Sequence, residues 1–145
     1  MRLTAAIAAI LCAVAVSACG SSSSPTIPST PTVTNTEVLS GSVAPGGTTI
    51  VTFVVSANGT ASLTLLALAS GGGPLFAPAL TTPINVAIGT LNSDSTCTPV
   101  AQAALTSQLT PQLNAALVMG NGCVQVTDLG NLTTTATFTV RVVHT

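Results

Sequence analysis

The chain has 145 residues, room for one modest core, and only 3% of them are charged, for a formal net charge of −1. Arg2 and Arg141 are the only strong bases, so the basic footprint that displaces counterions from nucleic acid is missing and a nucleic-acid partner is excluded. Ser, Thr, Asn and Gln must hydrate the surface instead, and with no Tyr or Trp the stacking platforms usual in carbohydrate-binding modules are missing too.

At the N-terminus, Arg2 precedes an apolar run over residues 3–16 that is broken only by Thr4, the pattern of a signal-peptide core. It is shorter than the ~20 apolar residues a stable membrane span requires. The segment Val16-Ser17-Ala18-Cys19 then resembles the lipobox of bacterial lipoproteins, with Val16 where Leu is commonest. The resemblance implies cleavage before Cys19 by signal peptidase II and lipidation of that cysteine, so that the first partner is a lipid bilayer. A thioether-linked diacylglycerol and an amide-linked chain would supply the two lipid signals that stable anchoring needs. Gly20 rather than Asp after the cysteine would favour the outer membrane of a Gram-negative envelope.

Residues 20–36, GSSSSPTIPSTPTVTNT, have no hydrophobic periodicity and cannot build a core. They read as a disordered spacer reaching on the order of 40–50 Å at about 3 Å per residue, though Ser/Thr-Pro composition is also that of O-glycosylated stalks. The expected organisation is therefore a signal peptide over 1–18, a lipidated cysteine and tether over 19–36, and a folded domain over 37–145.

Period-two alternation with turn residues between the runs predicts an all-β domain, a single antiparallel β-sandwich. Strands are expected at 38–43, 48–56 and 60–68, with Pro45-Gly46-Gly47 turning the chain after the first. Asn58-Gly59 reads as a tight hairpin turn, which would make the second and third strands antiparallel neighbours. Further strands follow from the alternation of Ile84, Val86 and Ile88, and of Val124 and Val126. Residues 135–143 give the clearest case, with Ala136, Phe138, Val140 and Val142 on one face. Leu105, Leu109, Leu113 and Leu117 recur every four residues as on a helix, but Pro111 interrupts them, and two strands near 98–104 and 113–118 are preferred. Gly120-Asn121-Gly122 and Gly130-Asn131 read as turns.

From Val38-Leu39-Ser40-Gly41-Ser42-Val43 through Pro45-Gly46-Gly47, Phe53-Val54-Val55 and Gly59 to Leu65, the body resembles the opening of a bacterial pre-peptidase C-terminal domain. Residues 122–128 with Gly130, and then 137–142, resemble the last hairpin of that family, although Gly122 and Phe138 stand where it usually carries tyrosine. The resemblance implies a jelly-roll-like sandwich of about eight strands, used as a non-catalytic accessory module beside exported enzymes.

Chemistry-bearing residues are few. Glu37, Asp94, Asp128 and His144 stand at no metal-ligand spacing, and Asn92 with Asp94 reads as a turn-forming pair rather than a calcium loop. His144, near the end of the last strand, reads as a solvated side chain rather than a catalytic base. No catalytic site, metal or cofactor is expected. Of four cysteines, Cys12 leaves with the signal peptide and Cys19 carries lipid, so Cys97 and Cys123 are expected to pair in an oxidising compartment. Cys123 alternates with Gln125 and Thr127, which places the bridge on the outer face or at a strand end. The Gly/Pro-rich stretch 70–83 carries Leu75, Phe76 and Leu80, which either plug one end of the sandwich or form a binding loop. The expected function is a surface-tethered binding or accessory module whose partner is an envelope protein or polysaccharide. An adhesion module and an auxiliary subunit of a secreted hydrolase are the alternatives.

Overall fold

The computed structural model describes residues 33–71 and 79–145. Alternation builds the core: in the last strand Ala136, Phe138, Val140, Val142 and His144 are buried while the residues between them are half-exposed. Eight strands form, with no helix among the described residues: β1 (Asn35–Val43), β2 (Thr48–Val55), β3 (Gly59–Ser70), β4 (Ile84–Leu91), β5 (Cys97–Leu105), β6 (Leu113–Leu117), β7 (Gly120–Thr127) and β8 (Ala136–His144). They make two four-stranded antiparallel sheets, ordered β1-β8-β3-β6 and β2-β7-β4-β5. The inward faces meet around Phe138, Leu63, Leu65, Leu68, Ile84 and Ile88, the packing expected of a β-sandwich. Pro111 separates β5 from β6, as its place in the sequence predicts.

The registers define two poles. Asn35 pairs with His144, Gly59 with Leu117 and Val55 with Gly120, so the chain enters β1 at the pole that carries the β2–β3, β4–β5 and β6–β7 connections. This is the near pole. At the far pole lie the turn 44–47 and the connections β3–β4, β5–β6 and β7–β8.

The strands and turns differ from the sequence reading in three places. The second and third strands are not hairpin partners: β2 pairs with β7, while β3 pairs with β8 on one side and β6 on the other, leaving no edge for β2. Neither Asn58 nor Gly59 takes the positive φ of a primed turn; instead Asn58 Oδ1 accepts a hydrogen bond from the Met119 N–H at 2.7 Å, tying the two near-pole connections together. Gly120-Asn121-Gly122 is not a turn but the start of β7. A Cβ on Gly122 would stand 2.5 Å from Cζ of Phe53, so that glycine makes room for a core ring. Finally, β1 begins at Asn35, two residues inside the expected tether, because Asn35 and Thr36 already pair with His144 and Val143.

A register shift between Leu65 and Ala67 in β3 marks a bulge, and Gln112 satisfies the backbone beside it. Its Oε1 accepts from the Leu65 N–H at 2.7 Å and its Nε2 donates to the Thr106 carbonyl at 2.6 Å.

Candidate functional site

Cys97 and Cys123 are bonded, with S–S 2.02 Å and Cα–Cα 5.9 Å. They belong to β5 and β7, which flank β4. Two strands separated by a third lie roughly 9.5 Å apart in a regular sheet, so β5 must leave the sheet to reach β7. Gly89 provides the crossing. It faces Cys123 on one side and Pro99 on the other, at a register shift, and a Cβ there would lie 1.9 Å from the Thr98 carbonyl oxygen. The start of β5 therefore folds across the bare outer face of Gly89, and the bridge closes over it. Cys97 is the first residue of its strand, and Cys123 sits on the outward register yet is fully buried. The bridge thus lies at a strand end on the outer face, as its register predicts.

His144 corrects the reading of a solvated side chain. It is buried, its Nε2 lies 3.0 Å from Glu37 Oε1, its Nδ1 lies 3.1 Å from the backbone oxygen of Thr145, and its ring is 5.2 Å from that of Phe53. Both ring nitrogens are thus engaged within the fold, one by a side chain of the neighbouring strand and one by the chain's own backbone. The signal for burial was available: His144 continues the inward parity of residues 136–142, and Glu37 shares the inward parity of Leu39 and Val43 on the neighbouring strand.

Asp128, also buried, organises the far pole. Its carboxylate accepts from the N–H of Gly46 at 2.8 Å, Asn131 at 2.9 Å and Leu132 at 3.2 Å. The Gly46 bond is the main reason its carboxyl is held below the usual carboxylate range; burial opposes the shift and the bonds from Asn131, Leu132 and Gly130 reinforce it. Gly46 and Gly130, at φ 65° and 92°, supply the left-handed backbone that aims these donors. Asn131 also donates from Nδ2 to the Pro83 carbonyl at 3.1 Å, fixing the entry to β4.

Asp94 closes the β4–β5 turn on itself. Its Oδ1 accepts from the Thr96 hydroxyl at 2.6 Å and from the Thr96 N–H at 3.1 Å, and these two bonds, the hydroxyl first, lower its pKa. Asn92 donates to the hydroxyls of Thr96 and Thr98 at 2.8 and 2.9 Å. These side chains are spent on the turn, with Ser95 at φ 65° completing it. Among the described residues no three of His, Cys, Asp and Glu gather where a metal could sit. Arg141 lies on the outer face of β8 and donates from Nη2 to the Leu109 carbonyl at 3.0 Å. The ionisable groups are therefore dispersed over both poles and one face.

Of the loop residues, Leu80 folds back: its N–H donates to the Leu68 carbonyl at 2.7 Å and its side chain packs against the core. Leu75 and Phe76 lie outside the described residues, as does Cys19.

No family model matches the chain, and no curated protein is significantly similar to it. Among solved structures, it overlaps PliG of Aeromonas hydrophila, a periplasmic inhibitor of g-type lysozyme, at 16% identity with a TM-score of 0.45, over 75% of this chain and 84% of that one. A protein of Sulfurospirillum deleyianum overlaps at 9% identity with a TM-score of 0.41, over 72% of this chain and 96% of that one. At such scores the overlaps establish neither family nor function.

Proposed function

We propose that the chain is an exported lipoprotein: Cys19 holds it to a bacterial membrane, and the β-sandwich is a non-catalytic module that binds or supports a protein of the cell envelope. The observation that carries this reading is the Cys97–Cys123 bridge, which belongs to an oxidising compartment, in a chain whose first residues read as a lipoprotein signal. The lack of catalysis is supported by the engagement of His144 with Glu37 and Thr145 and by the spending of Asp94 and Asp128 on turns. The accessory role agrees with the resemblance to pre-peptidase C-terminal domains. Intact-mass analysis of protein extracted from native membranes tests the proposal. The mature chain should begin at Cys19 and carry acyl chains, and Cys19→Ala should leave a secreted or unprocessed form. A mature N-terminus at any other residue would overturn the lipoprotein reading, and turnover of a peptide, ester or glycoside that is lost in His144→Ala would overturn the non-catalytic one.

A further inference from the structure

The near pole carries apolar side chains that its own fold leaves uncovered. Val118 and Met119, at the reversal from β6 to β7, are 61% and 68% exposed, Val54 on the adjoining end of β2 is 63% exposed, and Val33, just before β1, is 74% exposed. The tip cannot hide them. Leu117 before it points into the core, Gly120 after it opens β7, and the Met119 N–H is held by Asn58 Oδ1, so the backbone is fixed with the two side chains outward. That same bond leaves no free N–H on Met119 to be desolvated in an apolar medium. Among the described side chains at this pole, Asp94 in the turn between β4 and β5 is an exposed carboxylate, and Glu37 is engaged by His144.

We infer that this pole rests on the lipid surface that holds the anchor, with Val118 and Met119 dipping into the boundary between headgroups and acyl chains. The inference rests on the lipidation of Cys19. The chain enters the domain at Asn35, so the end bearing the tether is the end bearing the apolar tip. A spacer of the Ser/Thr/Pro composition of residues 20–34, as the sequence predicts, would have a root-mean-square span of roughly 20 Å. Such a tether keeps the pole at an effective concentration near the surface of about millimolar, so a contact too weak to recruit a soluble protein becomes populated. A protein partner fits less well, because a stable protein interface covers about 800 Å² per side and these are four side chains.

The chain has no Trp or Tyr, so a single introduced indole is an unobstructed reporter. Full-length lipoprotein carrying Met119→Trp, or Val118→Trp as a second reporter at the same tip, is reconstituted into phosphatidylcholine vesicles with and without brominated acyl chains. Leu129→Trp, on an exposed far-pole side chain, is the control. The near-pole indole should emit at shorter wavelength and lose roughly half its intensity to bromine at the ~5–10 Å depth that interfacial apolar groups reach, whereas the far-pole indole should not respond. Equal emission of the near-pole reporters in both vesicles, in protein whose mass shows acylated Cys19, would overturn this inference alone. Equal quenching at both poles, or a blue shift without quenching because another protein covers the tip, would also overturn it. A mass without acyl chains would overturn the anchoring reading first and this contact with it.

Discussion

Replacing Cys97 and Cys123 together by Ala removes the covalent link between β5 and β7 without leaving a buried thiol. The bridge closes a loop with a sequence separation of 26, for which the chain-entropy relation gives about 3.5 kcal/mol at 25 °C. A small domain is stable by only about 5–15 kcal/mol, so the variant should lose roughly a fifth to two-thirds of its stability. For a body of this size that corresponds to a fall in Tm of roughly 15 °C. Urea unfolding followed by far-UV circular dichroism is the suitable assay, because the chain has no Trp or Tyr to report by fluorescence. The midpoint should fall and the m-value should rise, since an uncross-linked unfolded chain exposes more surface. A loss under about 1 kcal/mol with an unchanged m-value would show that the bridge does not restrict the unfolded chain, and the reasoning would fail.

Two further predictions follow from single residues. Gly89→Ala places a methyl group on the Thr98 carbonyl that crosses it, so β5 must shift; the variant should lose about 1–3 kcal/mol and show titratable thiols in denatured, unreduced protein, and a fully bridged variant of native stability would refute the crossing. Asp128 has its pKa lowered by folding, so its contribution is present above the ordinary carboxylate range and is lost as pH falls through the folded-state value. The stability gap between wild type and Asp128→Asn should therefore be widest near neutral pH and close as pH drops below about 5. Urea midpoints measured across that range check it, and a gap independent of pH would count against the Gly46 contact.

What was legible in the sequence was whatever depends on near neighbours. The alternation in 136–142 and at Ile84, Val86 and Ile88 follows from a two-residue repeat, and Pro111, which cannot continue a helix, falls in the connection between β5 and β6. Cys97 and Cys123 emerged by elimination rather than geometry. The misreadings all concern distant partners. Asn58-Gly59 has the chemistry of a hairpin turn, but whether β3 has an edge free for β2 depends on β6 and β8, which come later in the chain. Gly122 looks like punctuation unless the Phe53 ring that crosses it is known. A lone histidine near a strand end looks solvated unless its parity is followed and Glu37 is found on the neighbouring strand. The crossing at Gly89 had no local signal, since an isolated glycine in a strand marks a close approach without naming what approaches.

The position of β8 bears on when the molecule can fold at all. It comes last in the chain of the eight described strands, yet it is an inner strand, lying between β1 and β3. Until residues 136–144 have emerged, the first strand has no hydrogen-bonding partner in its sheet and Leu63, Leu65 and Leu68 have no neighbouring Phe138 and Val140 to pack beside. The pairing that completes this sheet joins its two most distant segments, a slow step by topology. Under the export proposed above, such a chain would stay unfolded until residues 136–144 had crossed the membrane.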